Sequence, residues 1–259
     1  MKIDFHSHVK ISKKSMFMPN YFEEMMKEAQ ESGLDALAMT EHFNTFRFYD
    51  IYDYLEENYT YQNGYYNING LKLFPGMEVD VKEVGHILLI GSLGDILEIR
   101  KALDSHTQKN DFISFQGLID LTEQYPVLKI GAHAFRESTP LHHHEPALLK
   151  RLDALDLNGK DLFEYDADAY YSRLKKFASN LDLPIVGGSD THQFLQYASV
   201  YNDFHQDCFE VEDLRASIIS EAYKITISKK LDVKVKSAVT AKKLLKEMLN
   251  EEGVIESFV

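Results

Sequence analysis

The amino-acid sequence predicts a single α/β domain, residues 1–259, in which strands and helices alternate as in a layered or barrel fold. Short apolar runs are separated by stretches of helical periodicity, the pattern of strands laid beside their own crossover helices. Histidines and carboxylates fall at the ends of those runs, where α/β proteins assemble their sites. The length exceeds the commonest domain size but is ordinary for one α/β barrel.

The first strand covers residues 3–5, ahead of a helix whose face carries Phe22, Met25, Met26 and Ala29 and which Gly33 stops. The next strand falls at 36–40. Residues 49–66 hold seven tyrosines and the turn signal Asn63-Gly64, and read as a helix with an inserted loop or hairpin, the whole insert reaching 49–70. Strands follow at 71–79 and 87–91. Only seven residues separate Glu78 from His86, and a parallel crossover takes about a dozen or more. A hairpin therefore joins these strands and returns Glu78 and His86 to one end of the sheet. Ile96, Ile99 and Leu103 share a helical face, strands are expected at 129–133 and 152–157, and Pro146 opens a helix between them. Tyr170, Leu174, Phe177, Ala178 and Leu181 mark another helix, followed by strands at 184–188 and 223–227. A capped amphipathic helix at 237–250, with Leu244, Leu245 and Met248 turned inward, serves packing.

Apolar residues make up 44% of the chain and charged residues 27%, which suits a soluble protein with a sizeable core and argues against disorder. Twenty-eight basic against 41 acidic side chains leave a net charge of −13, a surface that repels polyanions. Nucleic acid and anionic membrane are poor partners for it. No apolar run nears the ~18 residues of a membrane span. Cys208 is the single cysteine, so no internal disulfide forms, and the first eight residues lack the basic and apolar regions of a signal peptide. A cytoplasmic protein is expected.

Of 11 histidines, six (His6, His8, His42, His86, His133 and His192) adjoin strand ends, and Asp4, Glu41, Glu78 and Asp190 accompany them. Alternation along a strand puts His6 with His8, and Asp190 with His192, on one face, able to point two ligands at one ion. Any one such histidine alone reads as an ordinary hydrogen-bonded residue. Six imidazoles and several carboxylates at one end of a barrel are different: each unpaired buried charge costs several kcal/mol, and bound cations remove that cost. Mixed nitrogen and oxygen donors without a thiolate suit zinc, manganese or iron. Two ions that share a carboxylate, for which Glu78 is the candidate, lower the pKa of a shared water and clamp the attacking and departing oxygens.

Six blocks of sequence go further: Asp4-Phe5-His6-Ser7-His8, Thr40-Glu41-His42, Pro75-Gly76-Met77-Glu78, Gly85-His86, Gly131-Ala132-His133 and Gly188-Ser189-Asp190-Thr191-His192. In this order they resemble the polymerase and histidinol phosphatase (PHP) superfamily of metal-dependent phosphoesterases. The resemblance implies a distorted (β/α)7 barrel of TIM-like form, a di- or trinuclear centre of divalent ions, and hydrolysis of phosphate esters. By position it implies one ion held by His6, His8, Glu78 and Asp190, a second held by Glu78, His86 and His133, and a third served by His42 and His192. The third set departs from the family's pattern. Many members place another Asp or His shortly after His-x-His, where this chain has Val9-Lys10-Ile11-Ser12-Lys13-Lys14, and a protonated lysine ligates nothing. Two or three ions are therefore expected. Glu41 stands where the family often has Asp.

The expected substrate is a small-molecule phosphate ester, attacked in line by a metal-bridging hydroxide, with Asp190 or His192 assisting proton transfer. Arg136, three residues past His133, is placed to clamp the phosphate bidentately, with a structural ion pair as its other reading. Lys13 reads first as a solvated surface lysine and second as a phosphate contact. His142, His143 and His144 lie in a loop, where substrate contacts are common, and Asn158 and Lys160 are candidates for supporting the ligands from behind. Phosphodiesterase or nuclease action, phosphotyrosine phosphatase action, a related amidohydrolase and a non-catalytic metal-binding module remain as alternatives.

Overall fold

The computed structural model describes residues 1–251, beginning with β1 (Lys2–Ser7), α1 (Pro19–Glu31), β2 (Ala36–Met39), α2 (Tyr49–Asn58), β3 (Thr60–Gln62), β4 (Tyr65–Ile68), β5 (Leu71–Asp80) and β6 (His86–Ile90). Then come α3 (Leu93–Ala102), α4 (Phe115–Thr122), β7 (Leu128–Gly131), α5 (Pro146–Leu149), β8 (Ala154–Asn158), α6 (Gly159–Glu164) and α7 (Ala167–Leu181). The chain continues with β9 (Ile185–Gly188), β10 (Val200–Phe204), α8 (Val211–Ile219), β11 (Tyr223–Ile227) and α9 (Leu231–Glu251).

The strands form one sheet in the order β11-β10-β1-β2-β5-β6-β7-β8-β9. Seven of them, β1 through β9 without the β3–β4 pair, curl into a nearly closed barrel, and the distorted TIM-like form expected of the sequence is what the chain adopts. Its distortion has a local cause. The hairpin inferred from the spacing of Glu78 and His86 is present, with β6 antiparallel to both β5 and β7 and Asp80 paired with His86 in register. Val84 and Gly85 turn it at φ of 71° and 141°, and the Val81 amide donates to the Gly85 carbonyl.

Barrel closure between β1 and β9 uses side chain and loop as well as strand. Asn202 of β10 donates to the carbonyls of Ile3 and Gly187 and accepts from the Gly187 amide at 2.8 Å, so one buried amide does the work of ladder bonds. Just beyond the strands, the Asp190 amide donates to the His6 carbonyl at 2.7 Å and the His8 amide to the Thr191 carbonyl at 2.8 Å. The approach is so close that a Cβ on Gly188 would lie 2.4 Å from the His6 Cβ. Glycine at this position is what lets β9 lie against β1.

Alternation sends Ile3 and Phe5 into an apolar cluster with Phe74, Val211, Leu214 and Ile218, which leaves Asp4 and His6 on the other face of β1. Phe22, Met25, Met26 and Ala29 of α1 are buried as expected, and Gly33 follows at φ 84°. The tyrosine-rich insert is α2 plus the β3–β4 hairpin, turned at Asn63 and Gly64, and β4 pairs with the outer part of β5. The C-terminal helix differs from expectation in two ways. It begins at Leu231, and Leu244 and Met248 are exposed (55% and 57%), while Val235 and Ala238 are buried and Lys242, Leu245 and Leu249 partly so. No helix among the described residues is long and apolar enough to cross a membrane.

Candidate metal centre

Loops and strand ends at one mouth of the barrel bring all eight expected ligands together. Glu78, near the end of β5, is the node. Its Oε1 lies 2.5 Å from His86 Nδ1, 3.2 Å from His133 Nε2 and 3.6 Å from His6 Nε2. Its Oε2 lies 2.8 Å from His42 Nδ1 and 3.6 Å from His8 Nε2. Asp190 Oδ1 faces the same two histidines of β1, 3.6 Å from His6 Nε2 and 3.4 Å from His8 Nε2. Three groups have donor atoms mutually within 4.8 Å: His6, His8 and Asp190; Glu78, His86 and His133; and His8, His42 and His192. The last gathers a third imidazole, His8, around the two residues left short of a partner by the Lys13-Lys14 loop.

Backbone geometry sharpens how this is done. His133 and Asp190 follow β7 and β9 in left-handed conformations, with φ of 31° and 56°. Such backbone is strained for residues with a Cβ, and local strain of this kind gathers at functional sites. The expectation that strand alternation aligns Asp190 with His192 is corrected by it. β9 stops at Gly188, and the turn at Asp190 sends that carboxylate to His6 and His8 while His192 goes to His8 and His42.

The electrostatics are those of a dense cluster of buried, mutually opposed charges. Burial works against every charge here. Even so, Asp190, Asp156 and Glu78 push His6 up to about 10, and Glu78 and Asp80 push His86 up to about 9. Glu78 and Asp190 are held well below the usual carboxylate range despite burial, Glu78 by His86 and His42, Asp190 by Arg136, His6 and His8. Burial brings His42 down to about 4; burial, with Arg136 nearby, brings His133 down to about 3. The Nε2 of His6 and both ring nitrogens of His8 are buried without a hydrogen-bond partner among the described residues. Buried polar atoms of this kind ordinarily find partners. Donors about 2.1 Å from one ion in tetrahedral array sit about 3.4 Å apart, close to the separations between Asp190, Glu78 and these nitrogens. The residues fit divalent ions.

A supporting layer holds the ligands, and much of it was not singled out in the sequence. Asp156 of β8, fully buried, accepts from or shares a proton with His6 Nδ1 at 3.0 Å, which turns Nε2 toward the centre. Asp80 does the same for His86 Nε2 at 3.0 Å. The signal for both was available: Asp156-x-Asn158 and Glu78-x-Asp80 each put two polar residues on one strand face. Asn158, an expected supporting residue, donates to Asp156 and Asp190 and caps α6. Lys160, paired with it in expectation, donates its amide to Asn158 Oδ1, while its ammonium pairs at the surface with Glu164. Asp4 accepts from the amides of His6 and Ser189, and burial raises its carboxyl to about 7. Glu41, whose role was open, accepts from the amides of Val9, Lys10 and His42 and so fixes both histidine-bearing loops.

Arg136 is not placed as a free phosphate clamp. Its guanidinium is 11% exposed and donates to Asp161 Oδ1 at 2.8 Å, Asp190 Oδ2 at 2.8 Å and Asn158 Oδ1 at 2.9 Å. Buried between two carboxylates, its charge is already paired, which is the structural reading of this residue. Lys13 likewise is bound to Asp80 at 2.8 Å. The run His142 to His144 latches the β5–β6 turn: His143 and His144 donate to the carbonyls of Glu83 and Val84, and His142 to that of Ala134. A cavity of about 550 Å³ opens over His42 and His192. A larger cleft, about 800 Å³, lies by Lys150, Tyr171 and Ile185 and includes none of the ligands.

This fold has relatives of known structure. PsfC from Pseudomonas syringae PB-5123 superposes with a TM-score of 0.78 at 22% identity, over 94% of this chain and 98% of that one. The lesion-specific endonuclease PfuEndoQ from Pyrococcus furiosus superposes with a TM-score of 0.67 at 21% identity, over 86% of this chain and 57% of that one. At such identities the likeness is one of fold. No curated protein matches the sequence. The PHP domain, however, matches residues 4–254, nearly the whole chain and every ligand block, and the chain belongs to the PHP family of metal-dependent phosphoesterases.

Proposed function

We propose that this protein hydrolyses a phosphate ester of a small metabolite, with two divalent ions held by His6, His8, Glu78 and Asp190 and by Glu78, His86 and His133, and with His8, His42 and His192 available to a third. One observation carries the reading: partnerless Nε2 atoms of His6 and His8 face Glu78 and Asp190 at 3.4–3.6 Å, a gap of the size an ion fills. Divalent ions in such a site lower the pKa of water and neutralise the charge that builds on a phosphoryl group.

The chain's own groups have separable tasks. Glu78 stays ionised and joins both sets. Asp156, Asp80 and Glu41 orient the imidazoles from behind. Asp190, pinned by Arg136 and Asn158 and held ionised, accepts protons or ligates and does not donate. Arg136 acts by fixing Asp190. His192, partly buried at the cavity and kept neutral by burial, can accept a proton there and is not the donor to the departing oxygen.

The test is to dialyse the wild-type protein and Glu78→Ala against chelator, add Mn²⁺ back, and measure both bound metal and hydrolysis of a generic aryl phosphate. Wild type should regain metal and activity together, and the variant neither. Full turnover by metal-free Glu78→Ala protein would sink the proposal.

A further inference from the structure

The inward seam of α9 runs Val235, Ala238, Lys242, Leu245, Leu249, a spacing of three and four residues that keeps one helical stripe against the barrel. Four of the five are apolar and one is a lysine. α9 packs on α6 and on the turn Phe194–Gln196 that follows His192, so Lys242 sits over the metal centre. It lines the 550 Å³ cavity with His42 and His192, and Lys246, one turn on, stands at the rim. Lys242 is half-buried, and neither lysine makes a direct ion pair or side-chain hydrogen bond among the described residues, Asp190 and Glu41 acting on Lys242 only through space. Of the other cations near the centre, Arg136 is matched to Asp161 and Asp190, Lys13 to Asp80 and Lys10 to the Phe46 carbonyl. A half-buried ammonium in an apolar seam is unfavourable unless an anion meets it.

We infer that Lys242 and Lys246 form a second anion subsite across the cavity from the ligand cluster, so that the substrate is a small molecule carrying a further phosphate or carboxylate besides the phosphate that is cleaved. This rests on the phosphoesterase reading above and narrows its substrate class. The cavity is the size of a small-ligand site. Glu247 and Asn250 close the same rim, and the chain carries a net charge of −13. A compact dianion would meet the ligand cluster with one charge and the two ammonium groups with the other.

Binding of non-hydrolysable probes to the Mn²⁺-loaded protein tests this without turnover. By calorimetry, an alkane bisphosphonate with its two phosphonates four carbons apart should bind at least about tenfold more tightly than the matching monophosphonate, a tenfold ratio being one charge pair's worth. Lys242→Ala should bring that ratio to within about twofold of one, and Lys242→Arg should keep most of it. A ratio near one in the wild type, or one unchanged in Lys242→Ala, overturns the subsite while leaving metal-dependent hydrolysis of monoesters intact. A short single-stranded oligonucleotide that outcompetes the bisphosphonate overturns it in favour of nucleic acid. Loss of binding by both probes in the wild type contradicts the phosphoesterase reading and the subsite with it.

Discussion

Replacing Asp156 by Asn should weaken metal binding while leaving the barrel folded. The two side chains concerned, His6 and Asp156, are both fully buried, and Nδ1 and Oδ2 are 3.0 Å apart. Oδ2 also accepts from Asn158 Nδ2 at 3.1 Å. An asparagine has two orientations there, and each is worse. With its oxygen kept toward His6 the contact survives but the anion is gone, and the amide NH2 takes the place of Oδ1, which has no hydrogen-bond partner among the described residues. With the amide turned, NH2 confronts Nδ1, the imidazole proton moves to Nε2, and the nitrogen needed by the ion is lost. A hydrogen bond to a charged group contributes about 1.5–3 kcal/mol, and removal of an outer partner of a ligating histidine typically costs about 10- to 100-fold in metal affinity. We expect Mn²⁺ affinity to fall by that factor, measured by competition with a chelating dye, with circular dichroism unchanged. Affinity within about twofold of wild type would refute the idea that Asp156 sets the tautomer of His6.

Two further outcomes follow from the same geometry. In the metal-free protein His6, at about 10, and His86, at about 9, carry protons at pH 7.5, so an ion must displace them; affinity should rise with pH up to about 10, and calorimetry in buffers of different ionisation heat should detect the released protons. A pH-independent affinity between 6.5 and 8.5 would contradict this. For Arg136→Lys, a residue that fixes Asp190 predicts weaker metal binding at nearly constant KM once metal is saturating, whereas a phosphate clamp predicts a raised KM with metal affinity unchanged.

Much of the centre was legible because its ligands announce themselves by type and place. His6 and His8 flank a strand end, and Glu78 and His86 are too close for anything but a hairpin. Legibility failed where the outcome depends on which long-range partner a side chain finds. Arg136 looked free because Asp161 and Asp190 are remote in sequence, and Lys13 looked solvated because Asp80 reaches it only through the folded hairpin. The pairing of Asp190 with His192 failed for a different reason: period-two alternation holds only while the backbone is extended, and φ turns positive at Asp190. α9 was read by its apolar residues, yet its stripe passes through Lys242 and leaves Leu244 and Met248 outside, because the surface it covers is a polar cavity mouth as well as a core. β10 and α8 carry little signal in the sequence: Val200–Phe204 breaks its apolar run with the adjacent Asn202 and Asp203, and it is Asn202 that closes the barrel.

In the proposed centre Glu78 would serve two ions, one with His6, His8 and Asp190 and the other with His86 and His133. Anomalous diffraction at the manganese edge from reconstituted crystals tests it most directly. Two peaks should appear beside the Glu78 carboxylate, one within bonding distance, about 2.1 Å, of His6, His8 and Asp190, the other of His86 and His133. A single peak away from Glu78, or none at full Mn²⁺ loading, would contradict the account.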